Sequence, residues 1–88
     1  MEASKYTTDE IRAGVKQLLA DLTEREPADI PDTASFATDL GVDSIMAMEM
    51  MVAMDKKYKI DIPEEEFMKI KNVDDAVASI ERHVGLNH

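Results

Sequence analysis

In DLGVDSIMAMEMMVAM, residues 39–54, an acidic loop meets a methionine-rich run. This stretch holds five of the chain's seven methionines. Asp43 stands directly before Ser44, and a carboxylate there can cap the first N–H groups of a helix at the positive end of its dipole. We therefore predict a helix that begins at Asp43 or Ser44 and runs to Tyr58. It stops before Pro63, because the residue ahead of a proline avoids helical angles.

Apolar residues lie on two sides of this second helix when about 100° is allowed per residue. One side has the pattern of a core face, made of Ala47, Met50, Met51, Met54 and Tyr58. The other is a narrower stripe of Ile45, Met48 and Val52. A small bundle can hardly bury both, so the helix either lies centrally among its neighbours or presents the stripe to a partner. The core-face methionines either fill an irregular core or let it re-pack around a variable apolar guest.

The first half of the chain predicts one helix and a long loop. Thr7 and Glu10 have the spacing of a capping box, and the helix that they start ends before Pro27. Its apolar stripe is Ile11, Val15, Leu18, Leu19 and Leu22. The helical periodicity of apolar residues is then lost over residues 23–43. A loop this long is unusual in a compact domain unless side chains anchor it or it has a function. The expected anchors are Ile30, Phe36 and Leu40, and a single helical turn is expected near residues 33–37.

The second half predicts two more helices after the methionine-rich one. A short helix is expected in EEEFMKI, residues 64–70. It carries Phe67 and Ile70. Asn72 caps a last helix that ends at Gly85 and has the stripe Val73, Val77, Ile80 and Val84. No segment has a strand pattern, so we predict an all-α fold of three main helices and one short helix, with a long first loop, in one domain of residues 1–88.

Composition narrows the class of protein. The chain has 88 residues, 44% of them hydrophobic, which suits one small core rather than a disordered segment. Cysteine is absent, which excludes disulfides, thiolate metal sites and a cysteine nucleophile. Neither a signal peptide nor an apolar stretch long enough to span a bilayer is found in the sequence. We therefore expect a soluble, cytoplasmic protein.

Negative charge is concentrated around Ser44. The formal net charge is −9, which argues against binding to nucleic acid and favours basic protein partners. Between residues 21 and 49 there are eight acids and one base, Arg25. The acids are Asp21, Glu24, Glu26, Asp29, Asp32, Asp39, Asp43 and Glu49. This run is either a solvated surface that keeps a small protein in solution or a docking surface.

Three roles are open to Ser44. It can be a helix-start residue and nothing more, since serine is common there. It can be a catalytic nucleophile, which needs an adjacent general base; the only histidines are His83 and His88, and no G-x-S-x-G motif is present. It can also be an attachment point, because a helix N-terminus stabilises a phosphate ester.

The sequence as a whole resembles the acyl carrier proteins. DLGVDSI, residues 39–45, looks like the site at which these proteins carry 4′-phosphopantetheine, with Ser44 as the modified serine. The likeness takes in the Leu-rich first helix, the long loop, the DSI that opens the second helix, IDIPEEEF at residues 60–67 and the capped last helix. It implies a small four-helix bundle.

The resemblance also implies that the chain is a substrate rather than an enzyme. A phosphopantetheinyl transferase would use coenzyme A and Mg²⁺, and the Ser44 hydroxyl would attack the coenzyme's pyrophosphate and keep the arm as a phosphodiester. The thiol of the arm would carry acyl groups as thioesters, so the cofactor supplies the thiol that the chain lacks. The bundle would shield the acyl chain and present it to successive enzymes.

Residue roles follow from the same resemblance. The methionines expected to face the acyl guest are Met50, Met51 and Met54. The residues expected to face partner enzymes are Asp39, Asp43, Ile45, Met48, Glu49 and Val52, with the acids meeting basic docking surfaces on the transferase and on enzymes that load, elongate or transfer the acyl group. The carrier is expected to be a monomer that binds no metal or nucleic acid and does not insert into membranes.

Departures from the family pattern bear on the pathway. Met46, two residues after the serine, stands where carriers of fatty-acid synthesis usually bear an acid, and Lys56 and Lys57 also replace usual acids. This favours a carrier dedicated to a polyketide or specialised lipid pathway. Peptidyl carriers typically show two glycines before the serine, whereas Gly41 is followed here by Val42. A peptidyl or D-alanyl carrier stays open, as does an unmodified acidic helical module that binds one protein.

Overall fold

A computed structural model describes residues 6–84, which contain four α-helices and one short 3₁₀ turn. The helices are α1 (Thr8–Thr23), α2 (Ser44–Tyr58), α3 (Glu64–Phe67) and α4 (Val73–Val84). No strand occurs in this described range. The all-α prediction of three main helices, one short helix and a long first loop is confirmed. The predicted helix end at Gly85 lies outside the described residues.

Side-chain caps set the starts of the three main helices where the sequence predicted them. The Thr7 side chain accepts the N–H of Glu10, and the Glu10 carboxylate accepts the N–H of Thr7 at 2.9 Å. Asp43 accepts an N–H from the first turn of α2 at 2.9 Å. Asn72 accepts the N–H of Asp75 at 2.8 Å. Because the first N–H groups of a helix have no intrahelical acceptor, these bonds decide where each helix begins.

The core lies between one face of each main helix. Its fully buried members include Ile11, Val15 and Leu19 of α1, Met50 and Met54 of α2, and Val73, Ala76 and Ile80 of α4. Helix α1 contacts both α2 and α4, so it is the element that joins the other two. Burying one large aliphatic side chain contributes roughly 1.5–3 kcal/mol, which makes this shared core the main source of stability in a chain without disulfides.

The long loop between α1 and α2 is held against the bundle. The three expected anchors, Ile30, Phe36 and Leu40, are buried. Val42 is buried as well. The N–H of Phe36 donates to the carbonyl of Lys71 at 2.9 Å, and the N–H of Asp74 donates to the carbonyl of Asp32 at 3.2 Å. These bonds join the loop to the first turn of α4 and to the segment that leads into it.

Ion pairs add to this attachment. The Arg12 guanidinium lies 2.9 Å from Asp32 and 2.6 Å from Asp74, and the Lys16 ammonium lies 2.6 Å from Asp32. The hydrogen bond from Lys16 is the main cause that lowers the pKa of Asp32. The loop is thereby tied to α1 and α4 through side chains as well as through the backbone.

The predicted helical turn near residues 33–37 is wrong. That stretch forms irregular turns, and the 3₁₀ turn within residues 6–84 lies earlier, at Pro27–Asp29. Proline at the first position of a helical turn has the required φ angle and lacks the N–H that would go unpaired. The position of Pro27 therefore explains where the turn forms.

Helices α1 and α2 approach each other closely at Gly14. A β-carbon on Gly14 would lie 2.2 Å from the Tyr58 hydroxyl oxygen and 2.9 Å from the Lys57 Cε. The Tyr58 hydroxyl lies 3.4 Å from the carbonyl of Ile11, and its ring packs edge-on against Tyr6 with centroids 5.0 Å apart. Burial raises the pKa of Tyr58 to about 12. Glycine inside a helix costs about 1 kcal/mol relative to alanine, and here the close approach requires it.

We expect Gly14→Ala to destabilise the fold although alanine is the better helix former. The new methyl group overlaps the Tyr58 hydroxyl, and overpacking of this kind costs typically about 1–3 kcal/mol. Tyr58→Phe removes the overlapping oxygen and leaves the ring carbon at 3.4 Å, so Gly14→Ala should cost less in that background. Urea unfolding of wild type, both single variants and the double variant measures the difference. Equal costs in the two backgrounds would show that Tyr58 is not the reason for the glycine.

Candidate functional site

The loop before α2 delivers Ser44 to the surface. Gly41 has a φ angle of 71°, in the left-handed region that glycine adopts without strain. Val42 is buried, and its N–H donates to the carbonyl of Phe36 at 2.8 Å. The chain then turns outward through the Asp43 cap, and Ser44 is exposed as the first residue of α2. Within residues 6–84 the Ser44 hydroxyl makes no hydrogen bond.

An apolar cleft opens beside Ser44. Its volume is about 340 Å³, and it lies between α2, α3 and the end of the loop. Its apolar walls are Phe36, Val42, Met50, Met51, Phe67 and Ile70. Met48 and Met68 also line it and are 60% and 66% exposed, so they belong to its open side. A concave apolar surface next to a free hydroxyl can shelter an apolar group that is linked to that hydroxyl.

The core-face methionines divide between the cleft and the core. Met50 and Met51 line the cleft. That the three methionines face an acyl guest stays a prediction, and the cleft offers a guest contact with Met50 and Met51 but not with Met54. Met54 does not line the cleft and is fully buried in the hydrophobic core. It lies about three turns from Ser44, beyond the end of the cleft.

The predicted stripe on the other side of α2 is exposed, and its member Met48 also lines the cleft. Ile45, Met48 and Val52 have 70%, 60% and 48% of their surface accessible. Together with Glu49, Ala53 and Lys56 they line a shallow groove along the helix. Of the two alternatives left by the sequence, the structure therefore favours an apolar surface available to a partner over a helix buried on both sides.

The three acids predicted to face partners differ in what else they do. One carboxylate oxygen of Asp39 accepts the N–H of Ser35 at 2.8 Å, which stabilises the loop. Asp43 is engaged as the cap of α2. Glu49 is exposed in the groove and forms no ion pair with any residue from 6 to 84. All three side chains are exposed, so the structure leaves each accessible at the Ser44 end of α2.

A polar cluster that the sequence did not predict fastens α3 to α4. The Glu66 carboxylate accepts a hydrogen bond from the Ser79 hydroxyl, accepts another from Arg82 at 2.7 Å and lies 3.0 Å from the His83 ring. These contacts, that of Ser79 first, lower the pKa of Glu66 to about 2. Helix α3 has four residues, too few to be stable alone. The cluster therefore holds the helix that places Phe67 in the cleft wall.

One signal for this cluster was present in the sequence. Ser79 falls among the apolar positions of α4 and is 1% exposed, and a buried hydroxyl needs a hydrogen-bond partner. The three consecutive glutamates that precede Phe67 gave no indication of which one would supply it.

Within residues 6–84 the Ser44 hydroxyl has no hydrogen-bonded base. Of the two histidines, His83 is engaged with Glu66, and His88 lies outside the described residues. Between residues 6 and 84 there is no cluster of three or more His, Asp or Glu side chains suited to a metal ion. None of the helices in that range has the length and apolar character that crossing a membrane requires.

Comparisons with known proteins identify the family. The family described as "Phosphopantetheine attachment site" matches residues 13–80. The chain is 43% identical to the acyl carrier protein of Brachyspira hyodysenteriae over 70 residues, which cover 78% of this chain and 90% of that protein. It is 39% identical to the acyl carrier protein of Rickettsia bellii over 75 residues, which cover 85% and 87% of the two chains. The chain belongs to the acyl carrier protein family, whose members carry 4′-phosphopantetheine and are not enzymes.

Two further similarities concern a specialised relative and the fold. The meromycolate extension acyl carrier protein of Mycobacterium tuberculosis is 36% identical over 76 residues, which cover 86% of this chain but 66% of that protein. The solved structure of the acyl carrier protein from Enterococcus faecalis superposes with a TM-score of 0.77 at 26% identity. That match covers 89% of this chain and 99% of the other, which confirms the four-helix fold.

The two apolar faces of α2 should respond differently to truncation. Met54→Ala should lower the free energy of unfolding by about 2–5 kcal/mol, the usual cost of emptying a buried site. Met48→Ala should change it by no more than about 0.5 kcal/mol, because the side chain is exposed. Thermal and urea unfolding of both variants measures this. Similar losses in the two would mean that α2 is buried on both sides.

Stability should depend on pH through Glu66. Its pKa is lowered in the folded state from an ordinary value of 4.5 to about 2, so its contribution is complete above the unfolded pKa and is lost as the pH falls toward 2. One quarter of the side chain is exposed, and screening by water limits the effect to on the order of 1–2 kcal/mol.

Urea unfolding of wild type and Glu66→Gln from pH 7 to pH 2.5 tests this dependence. The difference in stability should be fully present above pH 4.5 and should shrink as the pH falls below that value. Glu65→Gln, which changes an exposed neighbour, is the control for net charge. A difference between wild type and Glu66→Gln that stays constant over this pH range would contradict the role given to the ionised carboxylate.

Proposed function

We propose that the chain is an acyl carrier protein that bears 4′-phosphopantetheine on Ser44 and presents acyl thioesters to partner enzymes. One carrier domain, residues 1–88, performs this role in the cytoplasm as a monomer. The observation that carries the proposal is the exposed Ser44 hydroxyl at the capped start of α2, directly beside an apolar cleft of about 340 Å³.

The residues around Ser44 fit a phosphodiester. The first N–H groups of α2 have no acceptor within the helix, and the positive end of the dipole points at the same place, so an anion there is stabilised. Apart from its chain neighbours, no residue lies within 4 Å of a β-carbon built on Gly41, so the space outside this turn is open. When bound, the group supplies the terminal thiol on which acyl groups are carried, in a chain that contains no cysteine.

The cleft suits a carrier because it is apolar and open on one side. Met50, Met51 and Phe67 offer apolar walls to part of an acyl chain, with roughly 0.8 kcal/mol gained for each methylene buried. Methionine changes conformation at little cost, so the same walls adapt to different acyl groups. The exposed rim at Met48 and Met68 leaves a route for the chain to enter and leave.

Partner enzymes dock on the groove side of α2. The partners are a phosphopantetheinyl transferase and enzymes that load, elongate or transfer the acyl group, each with basic residues opposite Asp39, Asp43 and Glu49. The apolar stripe supplies contact area, while the charges act mainly on the rate of association.

The pathway is a specialised lipid or polyketide pathway rather than general fatty-acid synthesis. Met46 packs against the core, where family members of fatty-acid synthesis usually have an acid. Lys56 is exposed in the docking groove. Both positions make the docking helix less acidic than that of general carriers.

Ser44→Ala should fold normally and accept no phosphopantetheine. The apo protein is incubated with coenzyme A, Mg²⁺ and a broad-specificity transferase, and its intact mass is measured. Wild type should gain the mass of one phosphopantetheine, and so should Ser35→Ala, which changes another serine of the same cleft. A mass gain in Ser44→Ala would show that the site is misassigned. No gain in wild type would favour an unmodified protein-interaction module.

A further inference from the structure

The docking groove on α2 carries a positive charge at the end far from Ser44. Lys56 lines the groove together with the apolar stripe and Glu49. At about 100° per residue, Lys56 lies within roughly 40° of both Ile45 and Val52 on the helix surface. It is therefore part of the stripe and not of the neighbouring faces.

The two ends of the groove are far enough apart to be recognised separately. Asp43 and Ser44 stand just beyond one end, and Lys56 lies roughly 18 Å further along the helix axis. Glu49, the acid that lines the groove, lies about 10 Å from Lys56 along the same axis. Interactions between exposed charges are screened beyond a Debye length of about 8 Å at physiological ionic strength. A partner therefore meets a negative end and a positive end rather than one average charge.

Lys56 is not used by the fold in the way that Arg12, Lys16 and Arg82 are, since these three pair with carboxylates of the bundle. Lys56, like the other lysines of residues 56–71, forms no ion pair within the described part of the chain, and it is the lysine that lines the groove. The adjacent Lys57 turns to the α1 side, where its ammonium lies 5.8 Å from the centre of the Tyr58 ring. Both lysines lie in the last turn of α2, where a positive charge stabilises the negative end of the helix dipole. That effect does not depend on the side of the helix, so it does not explain a cation in the groove.

We propose that the α2 groove takes an enzyme surface of mixed charge, with a basic residue opposite Asp43 and Glu49, an apolar centre on the stripe and a carboxylate opposite Lys56. This rests on the proposed carrier function and specifies its partners. An enzyme whose docking surface is basic throughout places a cation against Lys56, and like charges in contact lower affinity. Lys56 thus selects acyl-handling enzymes that carry the matching acid and disfavours those that serve uniformly acidic carriers.

Two fluorescently labelled helical peptides test this with the apo protein. Both have the same length and the same leucine stripe. The mixed peptide has arginines at one end and glutamates about 12 residues further on, the spacing that matches roughly 18 Å. The basic peptide has arginines at both ends. The quantity measured is the ratio of the two dissociation constants, which reports preference between peptides and not overall attraction to an acidic protein.

Lys56→Glu should shift this ratio toward the basic peptide by roughly threefold to tenfold, the scale expected for exposed charge pairs at a rim. Lys56→Gln should shift it by an intermediate amount. Lys57→Glu makes the same change in net charge one residue away on another face, and should shift the ratio less than twofold if charge location matters more than net charge. Thermal melts confirm that each variant is folded.

An equal shift in Lys57→Glu and Lys56→Glu would overturn the inference, because the effect would then be one of net charge. No shift in either Lys56 variant would also overturn it. Modification of Ser44 is measured separately on wild type, so the two hypotheses can fail independently. A chain that is modified but shows no shift overturns the role of Lys56 alone, whereas a shift in a chain that is not modified overturns the carrier function alone.

Discussion

The cap that Asp43 makes on α2 decides where that helix begins, and the position of Ser44 beside the cleft depends on this start. Each residue turns the helix by about 100°. With the start at Ser44, Met50 and Met54 point into the core, while Ile45 and Val52 are exposed. Without the cap the first turn would fray, and that turn carries Ser44 and Ile45, the first residue of the stripe. The hydrogen bond of 2.9 Å from the first turn to Asp43 therefore holds Ser44 next to both the cleft and the docking stripe.

The cleft combines an adaptable interior with a fixed frame. Its walls are apolar side chains, among them two methionines that re-pack easily. Its frame is polar: the Glu66 cluster holds α3 on α4, and the N–H of Phe36 holds the loop on the carbonyl of Lys71 at 2.9 Å. Hydrogen bonds and ion pairs are directional, so they keep α3 and the loop in place while the packing between them changes. A core made only of tight apolar packing would resist such change.

The features that could be predicted from the sequence are local or periodic. Caps such as Asn72 act within one turn, and the two faces of α2 follow from helix geometry, so both were found without knowledge of the fold. The contacts that were missed join residues distant in the chain. Glu66 and Ser79 meet only because α3 packs on α4, and Gly14 is needed only because Tyr58 lies across from it. The residue types at these positions permit such contacts but do not indicate which residue will be the partner. The ion pair between Arg12 and Asp74 could not be predicted for the same reason.

In the proposed carrier cycle, delivery of an acyl group replaces one apolar contact with another. Each methylene sheltered against Met50 or Phe67 contributes roughly 0.8 kcal/mol that a partner must offset before the chain can leave the cleft. The stripe of Ile45, Met48 and Val52 offers a partner apolar surface that is at least 48% exposed in the free protein. Burial of that surface on docking supplies free energy of the same kind and scale. The cleft side and the groove side of α2, which share Met48, therefore act as the two sides of this exchange, and the charges around the stripe determine which enzymes bind to it.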